Sequence, residues 1–125
     1  MHNNNRILLV DNEEDIAFGF KIGLEDNGFE VDAYNDPKLA LSNFKPGSYD
    51  ILLLDIRMPK MDGFEFYVKM REIDDKVKVY FITASEMYYY EDLTKEALTR
   101  IGVKRVIRKP ISVDDLIKEI KTGPD

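Results

Sequence analysis

Cysteine and tryptophan are absent from this chain, and histidine occurs once, as His2 in the polar start Met1-His2-Asn3-Asn4-Asn5. Without cysteine there is no disulfide, no thiolate zinc site and no cysteine nucleophile. A single histidine in a terminus expected to fray leaves no triad or imidazole metal centre. No apolar run approaches the length of a membrane span, and the start lacks the basic and apolar regions of a signal peptide, so a cytoplasmic location without a membrane partner is the expectation. Basic residues are also in short supply, 18 against 24 acidic, for a formal net charge of −6. Nucleic-acid affinity rests mainly on neutralising phosphates, so direct nucleic-acid binding by this domain is not expected. The chemistry left to the chain is that of carboxylates, hydroxyls and amines.

What is present fits one core. A chain of 125 residues, 44% hydrophobic and 34% charged, is of ordinary single-domain size. Its most informative stretch is Ile51-Leu52-Leu53-Leu54-Asp55-Ile56-Arg57-Met58-Pro59-Lys60-Met61-Asp62-Gly63. An aliphatic run long enough for a strand buried on both faces ends in a carboxylate, and a turn punctuated by proline and glycine follows. In parallel α/β sheets ligands bind at the carboxyl ends of the strands, which makes Asp55 a candidate for chemistry. An aspartate that merely caps a turn is the alternative at this point.

Arg6-Ile7-Leu8-Leu9-Val10 is a second such run, and it too delivers acids: Asp11-Asn12-Glu13-Glu14-Asp15. A helix follows over 13–27, with acids in its first turn and Gly28 just past its end. Ile16, Phe20 and Leu24 form its inward stripe, leaving Phe18 and Ile22 on the charged side, where a partner helix would grip them. Glu30-Val31-Asp32-Ala33-Tyr34 reads as an edge strand. Asn35-Asp36-Pro37 opens a second helix with Leu39, Ala40, Leu41 and Phe44 as its apolar side, and Phe64, Tyr67, Val68 and Met70 mark a third over 64–73. A fourth strand over 77–82 delivers Thr83, and a fifth over 103–108 closes on Lys109-Pro110. Between them a helix is expected up to Arg100, stopped by Gly102. Ser112 with Asp115 three residues on resembles a cap for a last helix through Lys121, with Leu116, Ile117 and Ile120 inward.

Strands and helices alternate five times. That pattern predicts an α/β fold: a doubly wound, five-stranded parallel sheet with helices on both faces and the flavodoxin-like strand order 2-1-3-4-5. The domain is expected over 6–121, after a disordered start at 1–5 and before a chain end or linker at 122–125. In this order Asp11 and Asp55 become neighbours at the switch point. Adjacent carboxylates repel, and a hard divalent cation such as Mg2+ reconciles them. With Thr83 and Lys109 arriving from the fourth and fifth strands, a carboxylate, a metal site, a hydroxyl and an ammonium converge. Phosphoryl transfer needs that set.

The same residues carry a family resemblance. Leu9-Val10-Asp11-Asn12-Glu13-Glu14-Asp15, Leu54-Asp55-Ile56-Arg57-Met58-Pro59 with Asp62-Gly63, Ile82-Thr83-Ala84 and Lys109-Pro110 stand in an order and spacing that resembles the receiver domain of two-component response regulators. The resemblance covers nearly the whole chain. It implies that Asp55 accepts a phosphoryl group from a sensor histidine kinase or a phosphotransfer protein. It further implies that Asp11, Asp55 and the backbone carbonyl of Arg57 bind Mg2+, while Thr83, the backbone of Ala84 and Lys109 hold the phosphoryl oxygens. Lys109-Pro110 would be a cis peptide, Phe18, Ile22 and Pro110 would face the partner, and a homodimer is a further partner to consider. The resemblance implies a switch that catalyses its own phosphorylation, with its own dephosphorylation as a further activity to consider, and not a turnover enzyme.

Two positions depart from the family pattern. Asn12 stands where a second acid is usual. At ~4 Å and an effective dielectric of about 20, each unit-charge pair is worth on the order of 4 kcal/mol before desolvation, so metal affinity should fall. Asn12 would ligate weakly or through water, and Glu13 either lends its carboxylate or faces solvent. Val106 replaces the aromatic residue usual three positions before the lysine, which removes the familiar rotating switch. One of Tyr88, Tyr89 and Tyr90 is the alternative reporter on Thr83, with packing or a constitutive interface as the other role open to that cluster. These departures motivate a second reading, a receiver-like module that signals by dimerisation or docking without phosphate. Two unrelated classes fit less well: the acidic loop after the first strand would repel the phosphate of a flavin, and Arg57 stands where a dehalogenase-type phosphatase has its second aspartate.

Overall fold

The computed structural model describes residues 5–83 and 106–122. His2, Ala84, Tyr88, Tyr89, Tyr90, the helix expected up to Arg100, Gly102 and the first half of the fifth strand lie outside the described residues. Five parallel strands run β1 (Arg6–Val10), β2 (Glu30–Tyr34), β3 (Ile51–Asp55), β4 (Lys78–Thr83) and β5 (Val106–Arg108). They are ordered β2-β1-β3-β4-β5, as the alternating pattern predicts. Four helices accompany them among the described residues: α1 (Glu14–Asp26), α2 (Pro37–Ser42), α3 (Gly63–Ile73) and α4 (Val113–Thr122).

The period-two geometry of a strand explains why β3 reads as an unbroken aliphatic run. Leu52 and Leu54 point into a core built with Ala40, Phe44, Phe66, Tyr67 and Met70, from α2, the segment after it, and α3. Ile51 and Leu53 point the other way, into a core with Ala17, Phe20, Leu24, Leu116, Ile117 and Ile120 of α1 and α4. Both faces are covered, so alternation disappears from the sequence. Each fully buried leucine contributes on the order of 2 kcal/mol of transfer free energy, enough to hold β3 at the centre of the sheet. Tyr80 carries its polar tip into the second core and satisfies it by donating to the Ile120 carbonyl at 3.1 Å.

Helix ends follow their local chemistry. Asp36 caps α2 by accepting from the Lys38 and Leu39 amides, with Pro37 in its first turn, and Asp62 caps α3 by accepting from the Glu65 amide at 2.9 Å. Ser112 Oγ likewise accepts from the Asp115 amide at 3.1 Å ahead of α4. Helix α1 ends with Gly28 at φ 93°, its amide donating to the Glu25 carbonyl and the Phe29 amide to the Leu24 carbonyl. That double bond is the Schellman arrangement, which favours glycine at the left-handed position.

The structure departs from the sequence reading in several side chains. Ala17 takes the buried place on α1 beside Phe20 and Leu24, while Ile16 is only half-buried. Leu39, expected on the apolar side of α2, and Val68, one of the apolar marks of α3, are 52% and 49% exposed, and Phe66 is the buried anchor of α3. Asn5, expected in the disordered start, is held: its carbonyl accepts from the Glu30 amide and its side chain donates to the Gly28 carbonyl. At the other end α4 runs through Thr122, whose hydroxyl donates to the Glu119 carbonyl.

Candidate functional site

The site is assembled at the carboxyl edge of the sheet by strand register. Val10 pairs with Leu54, so the next residues, Asp11 and Asp55, face each other across the switch point. Asp55 pairs with Ile82 and Thr83 with Arg108, which places the Thr83 hydroxyl and the Lys109 ammonium at the same edge. The Lys109 amide donates to the Thr83 carbonyl at 2.7 Å, and the Lys109-Pro110 peptide is cis. Asp11, Asp55, Thr83 and Lys109 are the buried polar residues of the described chain, all gathered at this edge. The sequence stretches that carry them lie far apart, and their four strands bring them together.

Lys109 is the hub. Its Nζ lies 2.7 Å from Asp11 Oδ2, 3.3 Å from Glu13 Oε1 and 3.7 Å from Asp55 Oδ2. Burial alone would lower its pKa, but the Asp11 contact and the charges of Asp55 and Glu13 raise it above the usual lysine value. It therefore stays an ammonium. Three carboxylates against one ammonium leave a net negative pocket when all are ionised. Asp55 bears the consequence: burial and the neighbouring Asp11 charge push its pKa up to about 7, against the opposing pull of Lys109.

Asp11, Glu13 and Asp55 each offer a carboxylate oxygen within 4.8 Å of the others. An oxygen-only set of this kind suits a hard cation such as Mg2+, so the residues present fit the metal that the sequence implies. Glu13 thus faces the site rather than solvent alone. It precedes α1 at the cap position yet makes no side-chain cap, because its carboxylate is turned to Lys109. A missing cap costs about 1 kcal/mol, which the ion pair offsets. The loop is braced by the Glu13 amide, which donates to Asp11 Oδ1 at 2.9 Å.

The remaining site residues sort as follows. Arg57 donates its amide to Asp55 Oδ1 at 3.3 Å. The Asn12 amide lies against the Arg57 carbonyl and Asp55 Oδ2, to which its nitrogen, when turned inward, would donate at 3.2 Å and 3.0 Å. Thr83 Oγ1 is buried and has no hydrogen-bond partner among the described residues. An orphaned buried hydroxyl is costly, and here it points to a group that the site is built to receive. Val106 is half-buried against the core beside Phe81. Phe18 and Ile22 are exposed on α1, and Pro110 is exposed beside the site.

One participant carried no assigned role in the sequence. A Cβ on Gly63 would meet the Asp55 carbonyl at 2.5 Å and Ile56 Cα at 2.9 Å, while the Gly63 amide donates to the Ile56 carbonyl at 2.8 Å. Only glycine lets α3 start this close to the strand end. Between them Lys60 adopts φ 72°, with the Met61 amide donating to the Pro59 carbonyl at 2.8 Å, as in a tight γ-turn. The signal for Gly63 was its place after Asp62 in the turn, but spacing alone does not reveal a backbone contact.

Known proteins resemble this chain in sequence and fold. The family model of the response regulator receiver domain matches residues 7–121. The regulatory protein AtoC of Escherichia coli is 34% identical over 112 residues, 90% of this chain and 23% of AtoC. The transcriptional regulatory protein DltR of Streptococcus agalactiae is 32% identical over 116 residues, 93% of this chain and 50% of DltR. The chain therefore spans half or less of these relatives. Among solved structures, the response regulator TrrA of Thermotoga maritima, in complex with Mg2+ and a beryllium fluoride, superposes with a TM-score of 0.75 at 30% identity, covering 94% of this chain and 97% of that one.

Proposed function

This chain belongs to the response regulator receiver domain family, and on that premise we propose that it is a phosphorylatable switch whose acceptor is Asp55. The observation that carries this reading is the convergence of three carboxylates, the Lys109 ammonium and the orphaned Thr83 hydroxyl on one strand end. A phosphoryl group bonded to Asp55 would give Thr83 Oγ1 the partner it lacks. Mg2+ fits the pocket, with Asp11, Asp55, Glu13 and the Arg57 carbonyl as the groups that would hold it. When bound it supplies positive charge against the phosphoryl oxygens. The TrrA complex, with Mg2+ and a beryllium fluoride, supports the same ligand chemistry here.

In the transfer an ionised Asp55 oxygen attacks the phosphorus of a phosphohistidine on a sensor kinase or phosphotransfer protein. The new O–P bond forms as the N–P bond breaks, and the electron pair leaves with the imidazole. Lys109 and Thr83 stabilise the charge spread over the three equatorial oxygens, and the buried site limits competing water. Burial and the Asp11 charge raise the Asp55 pKa and so disfavour the nucleophilic form, a repulsion that a cation held by these carboxylates would offset. Phe18 and Ile22, exposed on α1, together with Pro110 form the face offered to the donor. Val106 leaves the onward switch to a route other than an aromatic rotation.

Incubation with a small acyl phosphate and Mg2+, followed by intact-mass measurement, tests the proposal. The wild type should gain the mass of one phosphoryl group and Asp55→Asn none. No gain in the wild type would overturn the reading in favour of a receiver-like module that acts by docking or dimerisation alone.

A further inference from the structure

We infer that Asn12 is a latch on the metal site rather than a weak ligand within it. The inference rests on the cation-binding reading above and concerns what the amide does there. Asn12 follows Asp11 and reaches across the crevice to the segment after β3. With its oxygen turned inward, the amide would face the Arg57 carbonyl and Asp55 Oδ2, which with Asp55 ionised are three acceptors together with no proton among them. With its nitrogen turned inward, one NH2 group serves both acceptors, at 3.2 and 3.0 Å. The inward group is therefore a donor.

Those two oxygens are among the ones a cation needs. Asp55 Oδ1 already receives the Arg57 amide at 3.3 Å, and Oδ2 receives Asn12 as well as the more distant Lys109 at 3.7 Å. A cation approaching Oδ2 and the Arg57 carbonyl meets N–H protons on both. To bind, it must break both hydrogen bonds, one of them to a charged carboxylate. The amide must then swing out or turn over to present its oxygen. An acid at position 12 would add charge and no protons, whereas Asn12 withholds the charge and also competes. Missing charge alone and active competition therefore predict opposite results when the side chain is removed.

Titration calorimetry of the full chain with MgCl2 alone separates them, using wild type, Asn12→Ala, Asn12→Asp and Asp11→Asn. The latch predicts that Asn12→Ala binds Mg2+ roughly tenfold more tightly than wild type, the worth of one net hydrogen bond to a charged group, with Asn12→Asp tighter again. Equal or weaker binding by Asn12→Ala overturns the latch. If wild type then binds and Asp11→Asn does not, the metal site itself stands. Binding by none of the four chains overturns both readings. A measurement on unmodified protein guards against a variant that fails to fold: the Asn12 side-chain NH2 resonances should move towards those of a solvated amide as Mg2+ is added. If they stay fixed at saturation, the latch is wrong.

Discussion

Asp74 and Asp55 lie towards opposite ends of the same sheet, and the chain treats their charges in opposite ways. At the amino end, Asp74 accepts from the Gly47 amide and the Lys76 amide, each at 2.9 Å, and these donors hold its pKa below the ordinary aspartate value. Nearby, Asp50 Oδ2 accepts from the Arg6 amide at 3.0 Å and lies 3.5 Å from Arg6 Nε, while Arg6 Nη2 donates to the Gly47 carbonyl. Each carboxylate there ties two loops together. At the carboxyl end, Asp55 is buried beside Asp11 with its pKa raised to about 7, and Thr83 Oγ1 has no partner among the described residues. One edge spends its polar groups on closure. The other holds them ready for a ligand, at a cost in stability that the leucine-rich core absorbs.

The largest test of this contrast is backbone rather than charge. Gly63→Ala should destabilise the chain by about 1–3 kcal/mol in urea, because its Cβ would collide with the Asp55 carbonyl at a place where nothing flexible yields. It should also slow modification of Asp55. Unchanged stability and rate would mean that the strand end tolerates movement and is not held by that contact.

The next test is linkage at Asp55. A carboxyl with a raised folded pKa binds its proton more tightly in the native state, so the folded state loses stability as pH rises from about 4 to about 7. Asp55→Asn removes that loss. In chelator, the variant should match wild type near pH 4 and exceed it at pH 8 by roughly 1–3 kcal/mol, discounted for residual solvent screening. A gap that does not grow with pH would break the contrast between the two ends.

Smaller effects sharpen it. Lys60→Gly should stabilise by up to about 1 kcal/mol, since glycine occupies φ 72° without penalty. Asp74→Ala should lower stability by only about 0.5 kcal/mol at neutral pH, because the exposed amides it abandons turn to water. The loss should vanish at acid pH: a lowered folded pKa stabilises above the ordinary aspartate value and ceases to do so once pH falls through it. Urea midpoints across pH read both.

Much of this was legible in the residues. The aliphatic runs ending at Val10 and Asp55 gave two central strands, Gly28 marked the end of α1, and Asp36-Pro37 opened α2. The misplacements have local causes. Leu39 and Val68 are apolar but sit on the outer side of short helices, and a few residues of mixed spacing do not fix a helix's rotation. Ile16 and Ala17 are adjacent, so a small turn of α1 exchanges which of them is buried. Asn12 was read as a missing charge; the groups it meets lie on the segment after β3 and at the end of β3, and nothing in its own neighbourhood names them.

By itself the sequence determined which chemistry is available and in what order along the chain: carboxylates after two strands, a hydroxyl after a third and an ammonium after a fourth, with no thiol and with a single imidazole, His2, ahead of the first strand. It also determined the layers, because hydrophobic period is a local property. Only the tertiary structure decided that Lys109 sits 2.7 Å from Asp11, that Glu13 leaves its cap to join them, that the Asn12 amide meets Asp55 and the Arg57 carbonyl, and that Gly63 has no room for a methyl. Distances between strand ends depend on strand order and register, and the ionisation of Asp55 depends on burial shared with residues far away in the chain. Both are properties of the assembled edge and of no single segment.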